Sequence, residues 1–343
     1  MWRLFNWLKP KIPASVPETA PPLDTKPDAP DGPAPDNQPS HSALDQLENH
    51  LFCWLLDAGP ATIERDTPMT PVVLTALADQ LRSGALNELP RQPNVLPMLL
   101  RALTHEDVSR KELAEIILAD PALTDQLLHM SNSPFFRPGE HLIETVEQAI
   151  FRLGLDGVRS VAAAAVMRPM MTARNSHEAL FAQRVWRWGL ACARSAELIA
   201  NARGDDGNAF FLVGLIPAMA HLTLYREVVR LYRERQDGAA PEPAVIHAAL
   251  RANDWTVTRL LAVAWNLPPR YQAHLLSTER PVRGRTHTPL NDGMILGTRE
   301  VLRDAHQRNL PEDVLVEALA LAPDEFERIR ALLLNMLRDA QRT

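Results

Sequence analysis

Apolar residues recur with helical spacing through most of the chain that follows Ser42. In ALDQLENHLFCWLLD (43–57) the leucines and a tryptophan recur every three or four residues, which is typical of one buried helix face. Ser42 stands where it would cap this helix. Neither an alternating pattern of useful length, which would predict a strand, nor a repeat of fixed period is present. The sequence therefore predicts an all-α fold.

Start and stop signals divide the first part of this region into helices. Thr70 before Pro71 predicts the start of a second helix, and Gly84 predicts its end. Ser109 and Glu112 form an S-x-x-E capping box before the apolar run LAEIILA.

The same signals continue downstream. Asp120 followed by Pro121 predicts the start of ALTDQLLHM, because an acidic cap and a proline both suit a first helical turn. Gly154 is expected to end the helix TVEQAIFRLG, and a long helix is predicted from about His177 to Ala202. Four or five more helices are expected after residue 222.

Residues 210–222, FFLVGLIPAMAHL, form an apolar run with Pro217 at its centre. A proline inside a helix removes a backbone donor and costs roughly 3 kcal/mol, so it needs a reason. The position is a kink, a site, or the remains of a site. No run is expected to reach the length of about 18 apolar residues that a membrane span requires.

The first 41 residues have a different composition. Ten of the 29 prolines lie there with few large apolar residues after Ile12, which predicts a disordered, extended tail. The tail begins with MWRLFNWLKPK, whose apolar side resembles a short interfacial helix, and it lacks the features of a signal peptide. The candidate docking residues for a membrane, a partner or the chain's own domain are Trp2, Leu4, Phe5, Trp7 and Leu8.

Charge and cysteine content narrow the function classes. The formal net charge is −6 and no Lys/Arg-rich run is present, which disfavours nucleic acid as a partner. The two cysteines, Cys53 and Cys192, lie in apolar helical contexts and form no C-x-x-C motif. They are interpreted as buried thiols in a reducing cytoplasm.

Motifs for familiar chemistry are missing. The eleven histidines include no H-x-x-x-H or HExxH pair, so no helix offers a local two-histidine face for zinc. Asp205 and Asp206 lie in RGDDGN, which is interpreted as a solvated turn. The chain carries no nucleophile elbow and no glycine-rich phosphate loop. No metal and no cofactor is predicted.

Several strings, in order, resemble one family. They are LPRQPNVLPMLLRAL (89–103), ELAEIILADPALTDQLLHMSNSPFF (112–136), TVEQAIFRLGLDGVRSV (145–161), VWRWGLACARSAELIA (185–200), FFLVGLI (210–216) and AWNLPPRY (264–271). This order is similar to that of the HDOD domain, the non-catalytic relative of the HD phosphohydrolases. The resemblance covers residues 87–280. It implies an HD-like helix bundle, which residues 42–86 and 281–343 would extend with further helices.

The resemblance gives Pro217 a meaning. HD-type hydrolases place a metal-binding His-Asp pair at the positions that match Pro217 and Ala218. A further histidine would stand where Trp188 lies, and many HDOD relatives keep one at the position of Trp255. None of these four side chains has a lone pair suited to a divalent cation. The metal site is therefore interpreted as lost, unless a shift in register brings in His221.

The remaining family residues are interpreted as structural. Asp120 and Pro121 are expected to cap a helix, and Asn132 and Ser133 to terminate one. Trp265 is expected to pack in the core, with Pro268 breaking a helix.

The family then implies a bacterial, cytoplasmic signalling protein that binds regulatory proteins and is not an enzyme. A phosphohydrolase or nucleotide sensor with an unrecognised site remains an alternative, and so, less favoured, does a regulator that binds DNA.

Overall fold

The computed structural model describes residues 41–104, 108–137, 139, 141–236, 238–279, 287–319 and 321–339. In this part of the chain every element is helical. The α-helices are α1 (His41–Leu56), α2 (Pro60–Ile63), α3 (Met69–Ser83), α4 (Leu96–Thr104), α5 (Arg110–Leu118), α6 (Pro121–Ser131), α7 (Val146–Met167), α8 (Ser176–Ala202), α9 (Gly207–Arg233), α10 (Pro243–Ala264), α11 (Pro269–Glu279), α12 (Pro289–Asp304), α13 (Glu312–Ala318) and α14 (Pro323–Asp339). The predicted all-α fold is confirmed.

Local signals fixed several helix ends as expected. The Ser109 hydroxyl accepts the backbone N–H of Glu112 at the start of α5, and Gly84 ends α3 with φ of 67°. Gly154 interrupts α7 with φ of 72° and ψ of 175°, so the helix changes direction there. These positions depend on contacts within one or two turns, which the sequence itself contains.

Two predicted helix starts are wrong by one or two residues. The first helix begins at His41, so Ser42 lies inside it. The helix α3 begins at Met69 and its cap position is Pro68, which places Thr70 and Pro71 in the first turn. A proline is tolerated there because the first-turn N–H groups have no helical acceptor.

The core is organised around α8 and α9, two long helices joined by the turn at residues 203–206. The helix α8 also packs along α12, and α9 packs along α10. Glycines allow the closest approaches: a Cβ atom added at Gly293 or Gly297 would lie 2.5 or 2.6 Å from the backbone of Ala196 or Cys192. The backbones of α8 and α12 therefore nearly touch.

A single hydrophobic core runs from Leu44 in α1 to Leu337 in α14. The helices on either side of the central region share this core, since α1 and α14 both pack against α8.

The helix α9 is long and apolar enough to cross a membrane by length and composition, contrary to the expectation that no run reaches that length. The fold covers 94% of its most apolar window, as is usual for a core helix.

Candidate functional site

Pro217 and Ala218, the positions that the family resemblance assigns to the HD metal ligands, lie at the contact between α8 and α9. Pro217 and Ala218 are both buried, and α9 continues as a helix through the proline. Ala218 faces Gly189 so closely that a Cβ added to the glycine would lie 2.5 Å from the Cβ of Ala218. No room for an ion and its ligands exists between these two residues.

His221 lies one turn beyond Pro217 and is fully buried. Its Nδ1 is 2.8 Å from the carbonyl oxygen of Pro217. A carbonyl only accepts, so Nδ1 carries the proton and Nε2 holds a free lone pair. Nε2 is buried and has no hydrogen-bond partner among the described residues. Burial lowers the pKa of His221 to about 3, which keeps the ring neutral.

Aromatic side chains surround this imidazole. The rings of Trp188 and His221 are 4.8 Å apart between centroids, and Phe52 of α1 stacks on His221 at 6.2 Å. Phe52 also meets the edge of His247 at 4.9 Å. The indole Nε1 of Trp188 donates to the hydroxyl of Thr298 in α12 at 2.8 Å. We call Phe52, Trp188, His221 and His247 the aromatic cluster.

His247 repeats the arrangement of His221 on α10. Its Nδ1 is 2.9 Å from the carbonyl oxygen of Ile63, while its buried Nε2 has no partner among the described residues. Burial again lowers the pKa of this imidazole. In the sequence His247 has no second histidine at helical spacing. The structure links it to His221 through Phe52, and this link depends on the packing of α1, which no local pattern encodes.

Trp255 is also buried in α10, and its Nε1 has no hydrogen-bond partner in the described chain. None of the described ring contacts joins it to the aromatic cluster. The structure therefore brings Trp188 and Pro217 together with His221, and it places Ala218 against Gly189.

The residues at this location do not fit a divalent metal. Metal hydroxide chemistry needs several imidazole and carboxylate ligands, and the cluster offers one lone pair at His221 and one at His247. No group of three or more His, Cys, Asp or Glu side chains that could hold an ion occurs within the described ranges. The cluster can pack and exclude water.

The family residues near α6 hold backbone together. Asp120 accepts the backbone N–H groups of Ala122 and Leu123 at 2.9 and 3.1 Å, with Pro121 in the first turn. The Ser133 hydroxyl donates to the carbonyl of Met130 at 2.7 Å.

Asn132 connects two segments. Its amide donates to the carbonyls of Leu128 and Ile143 at 2.9 and 2.7 Å, and its oxygen accepts the N–H of Ile143 at 2.8 Å. Asn132 thereby fixes the 141–143 segment against the end of α6.

Two of the family strings touch each other although they are far apart in the sequence. Trp265, fully buried, donates its indole N–H to the carbonyl of Pro90 at 3.0 Å, and Gln92 donates back to the carbonyl of Trp265. Pro268 accepts the backbone N–H of Tyr271 at the start of α11. These contacts join the LP-x-x-P turn to the end of α10.

A charged cleft of about 380 Å³ lies between the start of α8 and the end of α9. Three of its arginines pair with acids: Arg174 with Glu88, Arg226 with Glu178 and Arg230 with Glu234. These pairs neutralise the charge of three arginines within the protein, and Arg233 also lines the cleft. The N-terminal docking candidates Trp2, Leu4, Phe5, Trp7 and Leu8 lie outside the described residues.

The chain was compared with models of protein families, with known sequences and with solved structures. The sequence model of the HDOD domain matches residues 89–281. A candidate metal-dependent phosphohydrolase from Shewanella amazonensis SB2B shares the fold with a TM-score of 0.57 and 18% identity, over 80% of this chain and 100% of that one. A candidate signal transduction protein from Marinobacter aquaeolei VT8 has a TM-score of 0.52 and 18% identity, over 83% of this chain and 67% of that one.

One sequence relative is an uncharacterised protein of Treponema pallidum (strain Nichols). It is 24% identical over 219 residues, which are 61% of this chain and 40% of that protein. The chain thus spans less than half of the length of this relative.

The fold and its structural neighbours define an all-α protein of HD-like architecture. The chain belongs to the HDOD domain family, whose sequence model matches more than half of its length. The resemblance expected from the ordered strings is confirmed. At 18% identity the solved structures show a common fold and nothing about activity.

Proposed function

We propose that this protein is a non-enzymatic signal-transduction module that acts by binding other proteins. The observation that carries the proposal is the packing at Pro217 and Ala218, where the family's hydrolytic relatives hold metal ligands. Ala218 fills the contact with Gly189, and Trp188 is hydrogen-bonded to Thr298. A core closed in this way supports a scaffold role, because close packing leaves no place for a reacting substrate.

The proposed partners are signalling or regulatory proteins in the cytoplasm. The name of the Marinobacter aquaeolei VT8 neighbour, a candidate signal transduction protein, agrees with such a role. The acidic net charge of −6 disfavours DNA or RNA as the partner. The aromatic residues near the N-terminus support an additional peripheral contact with membranes.

The first experiment separates the scaffold from a phosphohydrolase. Full-length protein is purified without chelators from cells supplied with manganese, iron and zinc, and its metal content is measured by mass spectrometry. We expect far less than one ion per chain and no hydrolysis of phosphomonoesters or phosphodiesters above buffer. A stoichiometric ion together with metal-dependent turnover would establish the hydrolase alternative. Phosphohydrolase is the activity that the name of the Shewanella amazonensis SB2B neighbour suggests for that protein.

The second experiment tests protein binding itself. Full-length tagged protein is used to capture partners from its native host, and the captured candidate is then purified and titrated against it. We expect a defined complex with a Kd of about 1 μM or tighter. Co-sedimentation with anionic vesicles is measured in parallel. If no purified candidate binds, the protein-docking function is wrong.

A further inference from the structure

An exposed aromatic ring stands out on the first half of α7. Phe151 is 85% exposed, and Leu142 in the preceding segment is 62% exposed. Half-buried Leu155 follows Phe151 by four residues, just after the break at Gly154. We call Leu142, Phe151 and Leu155 the Phe151 face. Large apolar side chains grouped in this way on a soluble surface mark an interaction site more often than single exposed residues do.

The position of Phe151 follows from the packing of α7. Val146, Ala149 and Ile150 on the same helix are buried against the core, which turns the side chain of Phe151 towards solvent. The Arg152 guanidinium donates to the carbonyl of His141 and holds the segment with Leu142 beside the helix.

Acidic residues flank the face. Glu144 and Glu147 are exposed at the start of α7. The Asp156 side chain, 76% exposed after the break at Gly154, is already paired with Arg159 at 3.2 Å, so the two glutamates supply most of the negative charge beside the face. Glu147 precedes Phe151 by four residues, which places the two on one side of the helix. The face therefore suits an apolar segment that carries positive charge.

The start of this chain has that chemistry. Among residues 2–11 five are large and apolar, namely Trp2, Leu4, Phe5, Trp7 and Leu8, and three are basic, namely Arg3, Lys9 and Lys11. The first acidic residue is Glu18. The segment and the face are thus complementary in both hydrophobicity and charge.

The chain between them is long enough. Residues 12–40 can span at most about 105 Å when fully extended. A compact domain of some 300 residues has a radius of gyration of about 19 Å, so every point of its surface is within reach of a chain that enters at His41. Covalent attachment also raises the effective concentration of the segment to the millimolar range.

We propose that residues 1–11 dock on the Phe151 face of their own chain. The apolar side chains of the segment cover Phe151 and Leu142, while Arg3, Lys9 and Lys11 lie near Glu144, Glu147 and Asp156. This inference concerns one chain and does not depend on the proposed protein-binding function.

The sequence offers an unusually clear test, because the chain contains only four lysines: Lys9, Lys11, Lys26 and Lys111. A water-soluble carbodiimide joins a lysine amine to an adjacent carboxylate as an amide, with loss of water. Lys111 lies 3.8 Å from Glu115 and supplies an internal control for the reaction. We expect Lys9 or Lys11 to become joined to Glu144, Glu147 or Asp156 in dilute full-length protein, as read by peptide mass spectrometry.

Matched variants connect the cross-link to the apolar contact. Phe151→Ser should lower its yield roughly tenfold, because burial of an aromatic ring contributes that much or more to binding. Val263→Ser, at a residue 65% exposed on α10, is the control and should leave the yield unchanged. Both sites are on the surface, so circular dichroism should show the same fold in each variant.

Three results would overturn the proposal. The first is the Lys111 product without any product from Lys9 or Lys11 to the three acids. The second is a cross-link that persists in Phe151→Ser. The third is a cross-link found only between chains, read from a mixture of ¹⁵N-labelled and unlabelled protein, which would assign the face to a second copy. Failure of the protein-binding function would instead appear as absent partner complexes with this cross-link intact.

Discussion

The side chain of His221 donates a hydrogen bond to the carbonyl oxygen of Pro217, one turn earlier in α9. The contact sets the tautomer of a fully buried imidazole and leaves its Nε2 in apolar surroundings formed partly by Trp188 and Phe52. His221 is therefore part of the packing between α1, α8 and α9.

The pH dependence of stability should report this burial. The pKa of His221 is about 3 in the folded protein, against 6.5 for the unperturbed side chain, because burial disfavours the charged ring. Below pH 6.5 the unfolded chain binds a proton that the folded chain does not. The contribution of His221 to the free energy of unfolding is therefore fully present above pH 6.5. It falls by about 1.4 kcal/mol per pH unit as the pH drops towards 3.

The substitution His221→Phe keeps a ring of similar size and removes the titration. The free energy of unfolding, measured with urea at several pH values between 4 and 6, should change less steeply with pH than that of the unmodified protein. The difference should correspond to about one proton, and the part of the pH dependence that comes from His247 should remain. An unchanged slope would mean that His221 is accessible to protons in the folded state.

The contact between α8 and α9 predicts a pair of coupled substitutions. Gly189→Ala places a methyl group 2.5 Å from the Cβ of Ala218 and should destabilise the protein by about 1–3 kcal/mol. Adding Ala218→Gly removes the opposing methyl and should restore part of that loss, as measured by urea unfolding of both single variants and the double variant.

Gly297→Ala is the matched comparison. The atoms that its Cβ would meet belong to the backbone of Cys192 and Ala191, so shortening a side chain cannot relieve the contact. We expect a loss at least as large as that of Gly189→Ala. Purely additive effects in the first pair would contradict the direct contact between residues 189 and 218.

The hydrogen bond from Trp188 to Thr298 predicts a difference between two substitutions of similar size. Thr298→Val leaves the buried indole N–H without an acceptor and should cost about 1–3 kcal/mol of unfolding free energy. Thr298→Ser keeps the hydroxyl and should cost less. A smaller loss for Thr298→Val than for Thr298→Ser in chemical denaturation would show that packing of the γ-methyl, and not the hydrogen bond, holds Trp188 in place.

The sequence predicted the features that depend on short stretches of chain. Ser109, Asp120 and Gly84 act at helix ends because a cap needs only the residues of one turn. The helix start predicted from Thr70 and Pro71 is wrong, since a proline is accepted at several positions of the first turn and does not mark one of them. The break at Gly154 was expected, although α7 resumes directly after it.

Contacts between distant segments were beyond these patterns. Nothing in the string around Trp265 indicates that its indole bonds to Pro90, and nothing around Phe52 indicates a ring between two histidines. Each depends on how helices far apart in the sequence cross. The family resemblance singled out Pro217 and Ala218, and only the structure shows Gly189 against Ala218.

The continuous core has a consequence for how this module can be moved. The family match stops at residue 281, yet α12 beyond it lies along α8 with glycines against its backbone. A fragment cut at the edges of the match would expose to water the side of α8 that α12 covers. A transplant of this module that keeps its core closed therefore has to carry α12 along with the helices inside the family match.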